Sequence, residues 1–374
     1  MLNGKSINMK TLKINLWFVT VLLLTTYSYA QAVVTTPKRS PRAEFSQTFG
    51  ITKVTINYGA PKVKVVRGDR TGKIWGQLIP FGLQKINFAG KGEIPWRAGA
   101  DENTTITFST DVKVEGKDLK TGTYGLHMII NDEKNVTVIF SKNTSSWGSF
   151  WYTPDEDVLR VDVVMRDNAF HDVLNYSVTK LDTKQAEFSL SWENKQIPFN
   201  VSADTPVLVT DNLKDELRGQ FGFGWKGKFQ AAQYLTRVNH EPELALQWIN
   251  ESIGVQKTFQ NLSVKANILF QQGKMKEAMP LLDEAADMAN NNQLNGLGYL
   301  LMTNKQLDKA ISYFQLNVKR NPKDANVYNS LGEAYKAKGQ NKEALKMFKK
   351  SNTLNPPKFV KDSNDQFIKE LQGK

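Results

Sequence analysis

The residues from Trp96 to Asn103 (WRAGADEN) set an indole, a guanidinium, two carboxylates and an amide side by side, just ahead of the strand-like run Thr104 to Phe108. A guanidinium is a planar fork that fits carboxylate or phosphate, and an indole face packs against a sugar ring. Trp96, Arg97, Asp101 and Asn103 are therefore candidate ligand-binding residues for a glycan or a small anion. The competing expectation is an internal Arg97–Asp101 ion pair that holds the loop, with Trp96 in the core; structural pairs of this kind are common. A ligand-sized concavity beside Arg97 would favour the first reading, and a buried pair the second.

Other chemistry-bearing residues are weaker candidates. Trp147, Phe150, Trp151 and Tyr152 form either a stacking platform or a buried end-cap, and burial is expected for at least half of them. His127, His171 and His240 are the three histidines. His127 and His171 could join Asp132 or Asp172 on a metal, but no tight ligand spacing exists. A packed or hydrogen-bonded His127 is expected instead, and neither metal nor cofactor is predicted. No elbow motif marks a Ser–His–Asp hydrolase. Gly68 to Lys73 (GDRTGK) is one residue short of a phosphate loop, and Ile74 stands where a magnesium-binding hydroxyl belongs. Arg67-Gly68-Asp69 is a tripeptide that recurs by chance. No catalytic constellation emerges, and the reading leans away from an enzyme.

Composition limits what can position these groups. A chain of 374 residues exceeds what one core usually organises, so two domains are expected. Lys5, Lys10 and Lys13 precede an apolar run from Ile14 to Leu24, and Ser28-Tyr29-Ala30 offers small residues to a signal peptidase. The run is shorter than the roughly 20 residues a membrane span needs. A signal peptide over 1–30, cleaved before Gln31, is expected, with periplasmic or extracellular localisation. The absence of cysteine excludes disulfides, thiolate metal sites, a lipid-modified N-terminal cysteine and cysteine nucleophiles. The formal charge of +12 falls to +9 without the three leading lysines. Basic clusters stand at Lys62, Lys64, Arg67, Arg70 and Lys73 and again after Asn321. Such clusters are usually solvated faces, and export argues against nucleic acid as the partner.

From about Ser40 to Ala203 the chain reads as short strands. Val112 and Val114 precede a Glu115-Gly116-Lys117 turn, and Tyr124–Ile130 and Val136–Phe140 flank a polar hairpin loop. Val158–Met165, Val173–Lys180, Ala186–Trp192 and Ile197–Val201 follow. The expectation is an antiparallel β-sandwich or barrel-like domain over 31–203, with Pro61 to Gly99 as a long structured loop. Residues 204–227 are a junction, with Asp211 capping a short helix and the aromatics of Phe221 to Trp225 docking one half on the other.

After Lys228 the apolar period turns helical and the chain repeats at an offset of 34 residues: Leu297-Gly298 recurs as Leu331-Gly332, Ala310 as Ala344, Phe314 as Phe348 and Pro322 as Pro356. This resembles the tetratricopeptide repeat, a helix-turn-helix unit of that length. Phe259 to Asn290 forms a further unit, a fainter one includes Tyr234, Ala245 and Ile249, and Phe359 to Leu371 is a capping helix. The resemblance implies a protein or peptide partner in the concave groove lined by the first helix of each unit. Carried over by position, those residues are Gln260, Ser263, Asn267 and Phe270; Asn292, Asn295, Tyr299 and Met302; and Asn326, Asn329, Glu333 and Lys336. Amides suit an extended peptide backbone, and with Ser263 and Asn329 where a carboxylate clamp needs lysine, an acidic C-terminal tail is not expected.

The front half is similar to an exported family, the domain of unknown function numbered 2911, frequent in Bacteroidota. The stretches that carry this are SPRAEFSQTFG (40–50), KIWGQLIPFG (73–82), WRAGADENTTITF (96–108), GTYGL (122–126), VIFSK (138–142), Trp147-Gly148 and DVLRV (157–161). The resemblance implies an exported β domain, sometimes followed by helical repeats, and no activity. Here Gln84 to Pro95 is expanded relative to the family. The sequence thus points to an exported, non-enzymatic binding or scaffold protein acting through its repeats. The alternative is a β domain that binds a glycan or small anion, with the repeats as structural support.

Overall fold

The fold is that of a computed structural model in which residues 36–66, 68–87 and 92–373 are described. The expected signal peptide, Arg67 and the tip of the expanded 84–95 segment lie outside these residues.

The front half is two antiparallel sheets around one core. The first has the order β1 (Arg42–Phe49), β2 (Thr52–Gly59), β7 (Thr105–Phe108), β10 (Gly122–Ile130), β11 (Asn135–Ser141) and β12 (Asp157–Val164). The second runs β13 (Arg166–Leu181), β14 (Gln185–Ser202), β8 (Val112–Val114), β9 (Lys117–Leu119). Alternation explains the layering, because successive side chains of a strand point to opposite faces. In β2, Val54 and Ile56 are buried while Lys53 is exposed. Ile56, Ile106, Leu126 and Phe140 of the first sheet share a core with Phe188, Leu190, Phe199 and Val201 of the second. The two runs expected at 186–192 and 197–201 form one strand, β14, whose partner β13 is bulged.

The described residues between Pro61 and Gly99 are irregular, with two short ladders among them: β3 (Lys64–Val65) with β4 (Gly68–Asp69), and β5 (Gln84–Lys85) with β6 (Glu93–Ile94). They are anchored to the free edge of β10 beyond the reach of β7. Trp96 and Met128 exchange both backbone hydrogen bonds, at 2.8 and 2.7 Å, and the Gly82 amide donates to the Ile130 carbonyl. An unpaired sheet edge leaves donors and acceptors that something must satisfy. Here that need brings the Trp96 loop onto the sheet.

The junction differs from expectation. Helix α1 (Thr205–Glu216) begins about two turns earlier than the sequence suggests, capped by Asp204, whose carboxylate accepts from the Val207 amide. Leu208 packs on the β core, whereas Leu213 and the following Leu217 pack on the first helical hairpin, so α1 joins the two cores. Phe221 and Phe223 are exposed and dock nothing among the described residues. The stretch forms only a single 3-10 turn, Gln220–Gly222, which leaves both rings in solvent.

Four helical hairpins follow: α2 (Trp225–Val238) with α3 (Pro242–Val255), α4 (Phe259–Gln271) with α5 (Met275–Met288), α6 (Asn291–Thr303) with α7 (Leu307–Arg320), and α8 (Ala325–Ala337) with α9 (Asn341–Asn352). Helix α10 (Lys358–Leu371) covers the end. The repeated residues do what their types require. Ala310 and Ala344 are fully buried, and a Cβ on Gly298 or Gly332 would lie 2.4 or 2.6 Å from the ring of Phe314 or Phe348. Three hairpins share a device absent from the repeat signature. A polar side chain late in the second helix donates to the carbonyl of the first residue of the first: Ser252 to Trp225 (2.8 Å), Asn317 to Asn291 (3.0 Å) and Ser351 to Ala325 (2.7 Å).

Candidate functional site

The Trp96 loop is held tightly. Ala98 and Asp101 both take left-handed backbone conformations, with φ of 51° and 62°, which L residues adopt only when the surroundings insist. The surroundings are explicit. The Trp96 indole donates to the Gly99 carbonyl at 3.1 Å, Tyr176 Oη donates to the Ala98 carbonyl at 2.8 Å, and the Ala100 amide donates to the Gly59 carbonyl. Burial raises the Tyr176 pKa well above the usual tyrosine range, so it remains a donor at any physiological pH.

Arg97 does not form the internal ion pair considered from the sequence. Its Nη1 donates to the backbone carbonyl of Asp101, not to its carboxylate, and its guanidinium lies 4.7 Å from the centroid of the Phe150 ring. Gly148 passes directly against it, since a Cβ there would sit 2.3 Å from the guanidinium. Beside it opens a cavity of about 500 Å³ that Trp96, Arg97 and Asp101 help to line, with Arg70, Phe150 and Trp192. Asn103 is turned away: it is buried, its Nδ2 donating to the Asn143 carbonyl at 2.9 Å.

The aromatic run divides. Trp147 and Trp151 are exposed, Phe150 and Tyr152 half-buried, so the expected burial of at least half is not met. Tyr152 donates to Asp157 at 2.7 Å and receives Arg160. His127, as expected, is packed and hydrogen-bonded, its Nδ1 lying 2.8 Å from Ser149 Oγ. Burial, helped by the charge of Arg97, lowers its pKa to about 4, so it is neutral at pH 7. Both members of this Ser–His pair are about 2 % exposed or less and present no nucleophile to solvent. His171 sits between the amides of Asn168 and Asn175. No group of three or more potential metal ligands occurs among the described residues.

The second concavity lies among the repeats. A groove of about 680 Å³ is lined by Gln260, Ser263 and Asn267 of α4, by Leu300 of α6, and by Gln230, Gln233, Tyr234 and Arg237 of α2. Three residues carried over from the repeat pattern therefore face one space, joined by four from the first hairpin that the pattern did not identify. That unit lacks the glycine and alanine spacing that sets the register, and its aromatic and amide period was the one available signal.

The remaining carried-over residues lie elsewhere. Phe270 is buried in the core of the array. Asn292 is exposed, and Asn295 and Asn326 are half-buried. Tyr299 Oη donates to Glu333 at 3.2 Å, and burial raises the pKa of that carboxyl. Asn329 and Lys336 are engaged by α10, through Asn364 and Glu370 respectively.

Comparison with known proteins follows this division. Residues 40–201 match the model described as "Protein of unknown function (DUF2911)", and residues 294–324 and 325–358 each match a tetratricopeptide repeat model. The chain is similar to Superkiller protein 3 of Schizosaccharomyces pombe, with 42 % identity over 60 residues, 16 % of this chain and 4 % of that protein. It is also similar to Tetratricopeptide repeat protein 37 of Xenopus laevis, with 29 % identity over 113 residues, 29 % of this chain and 7 % of that protein. The chain thus spans a small fraction of the length of these relatives. Among solved structures, MamA aligns over 40 % of this chain and 89 % of its own, at 18 % identity and a TM-score of 0.33. In that order along the sequence, the chain carries a DUF2911 domain at residues 40–201 and tetratricopeptide repeats at 294–324 and 325–358.

Proposed function

We propose that this protein is an exported binding scaffold whose repeat groove takes an extended segment of a partner protein. The observation that carries the reading is the groove of about 680 Å³ built by side chains from three successive first helices. Gln230, Gln233, Gln260 and Asn267 supply both donors and acceptors, which suits a peptide backbone without demanding a particular side-chain charge. Arg237 is the one charged residue of the lining, and Tyr234, 5.7 Å beneath its guanidinium, adds an apolar anchor. The supply of amides rather than lysines favours a mid-chain segment over a C-terminal carboxylate.

Export rests on the basic and apolar character of residues 1–30, and periplasmic or extracellular residence follows from it. Among the described residues no helix is long and apolar enough to cross a membrane. Binding rather than catalysis is favoured by the burial of Ser149 and His127, which leaves that pair without access to a substrate.

Photo-crosslinking groups placed at Gln233 and Asn267, and at Val164 on the β domain as a control, test the reading in an envelope extract. A partner captured from both groove positions and not from Val164 supports it. Capture from Val164 alone, or capture equally strong from all three, rejects the groove as the working surface.

A further inference from the structure

We infer that the β domain holds a separate small-molecule site, the cavity beside Arg97, and that it takes a carboxylate carried on a six-membered ring. The inference stands apart from the repeat groove and does not depend on it.

Size and lining come first. A cavity of about 500 Å³ falls within the usual range for small-ligand sites, about 300–1,000 Å³. Its lining includes the half-buried Trp96, backed by the core residue Trp192: the two rings are nearly parallel at 17° with centroids 6.3 Å apart, and Trp192 is 2 % exposed. Trp75 meets both edge-on, which fixes them. Rigid, flat, apolar walls suit the face of an aromatic or pyranose ring and lose little conformational freedom on binding it.

Charge decides the rest. Arg70 and Arg97 line the cavity against the single carboxylate of Asp101, an excess of one positive charge that matches a monoanion. Arg97 is half-buried, and among the described residues its only hydrogen bond goes to a neutral carbonyl. A guanidinium has five N–H donors, so most remain for a ligand. Burying a cation without an anionic partner is costly, and burial indeed lowers the Arg97 pKa, with Asp101 offsetting part of the effect from a distance. A ligand carboxylate would complete this charge and receive two parallel hydrogen bonds.

The guanidinium is also immobilised in advance. Phe150 stacks on it at 4.7 Å, the Gly148 backbone packs against it, and the Asp101 carbonyl holds Nη1. The two left-handed residues, Ala98 and Asp101, bracket that arrangement. Preorganisation of this kind concentrates donors where the anion must sit.

The test uses matched ligand pairs on the unaltered protein, read by tryptophan fluorescence and calorimetry. Galacturonate is set against galactose, and phenylacetate against phenylacetamide. We expect one carboxylate to bind at least tenfold more tightly than its neutral counterpart; which pair responds tells a sugar acid from an aromatic acid. Arg97→Gln should weaken that binding at least tenfold, and so should Gly148→Ala, whose methyl group displaces the guanidinium while leaving its charge. Val164→Ala, exposed on β12 and outside the cavity lining, should leave affinity unchanged. Neutral and charged partners binding alike, or no binding by either acid at millimolar concentration, overturns the inference whether or not the variants fold. Retained affinity in a folded Arg97→Gln protein overturns it as well.

Discussion

Nδ2 of Asn329 donates a 2.8 Å hydrogen bond to Oδ1 of Asn364, with both amides out of solvent. The bond ties α8 to the capping helix α10, and Asn364 passes it on by donating to Ser351 Oγ at 2.9 Å. Ser351 in turn holds the Ala325 carbonyl. A network of this sort is stabilising when complete and costly when cut, because each stranded group has already left water.

Asn364→Ala should therefore destabilise the protein by about 1–3 kcal/mol, the cost of leaving buried polar groups unsatisfied. Denaturant unfolding measures the change, and amide exchange should accelerate in α10 more than in the β domain. Equal exchange throughout would remove the local role assigned to this pair.

Two glycines of α6, two positions apart, should respond to alanine with opposite signs. At Gly298 the added methyl meets the Phe314 ring at 2.4 Å, and overpacking of this kind costs about 1–3 kcal/mol. At Gly296 a Cβ meets nothing within 4 Å, and replacing an exposed helical glycine gains roughly 0.5–1 kcal/mol. Thermal unfolding of the two variants reads the difference; a common sign would contradict the packing described.

His127 should make stability fall on mild acidification. Its folded pKa is about 4, against 6.5 for the free side chain. Between these values the unfolded chain binds a proton that the folded protein refuses, so unfolding free energy rises with pH across this window and is lost as pH falls through 6.5. From pH 7 to 5 the loss is about 2 kcal/mol. His127→Asn should flatten that segment of the curve. The acid limb below pH 4.5 should persist, because Glu187, held by Arg166 at 2.9 Å, has its pKa lowered to about 2.

In the repeat groove, Tyr234→Ala and Asn267→Ala should each weaken capture of the crosslinked partner by about tenfold, equivalent to about 1.4 kcal/mol. Lys336→Ala should leave capture unchanged. Its ammonium already bonds Glu370 and lies 4.0 Å from the Phe367 ring, so it is spent on the capping helix. A larger effect at Lys336 than at Asn267 would place the partner on the other end of the array.

Much of the architecture was legible because its causes are local. The 34-residue recurrence of Gly298, Ala310 and Phe314 is a packing requirement written at fixed spacing, and the turns at Glu115-Gly116 and Asn131–Asn135 carry their own signals. The start of α1 was misplaced because Asp204 and Asp211 are equally good caps in isolation. Pro206 in the first turn and the docking of Leu208 on the β core select Asp204.

The candidate sites were legible in part. Trp96, Arg97 and Asp101 were identified as neighbours in sequence, but their cavity is closed by Arg70, Phe150 and Trp192, which no spacing connects to them. The pairing of His127 with Ser149 joins residues 22 positions apart and leaves no trace in either segment.

The sequence by itself determined which residues must be hidden: alternation along strands and small–large pairing along helices are properties of consecutive side chains, and burial follows from them. What only the tertiary structure decided is where charge and polarity are left unpaired. Whether Arg97 meets the Asp101 carboxylate or merely its carbonyl depends on two left-handed backbone angles imposed by Gly59, Tyr176 and β10. Whether Asn329 faces a partner or a capping amide depends on where α10 comes to rest. Hydrogen bonds and ion pairs are made over about 3 Å between groups far apart in the chain, so their partners exist only once the fold does.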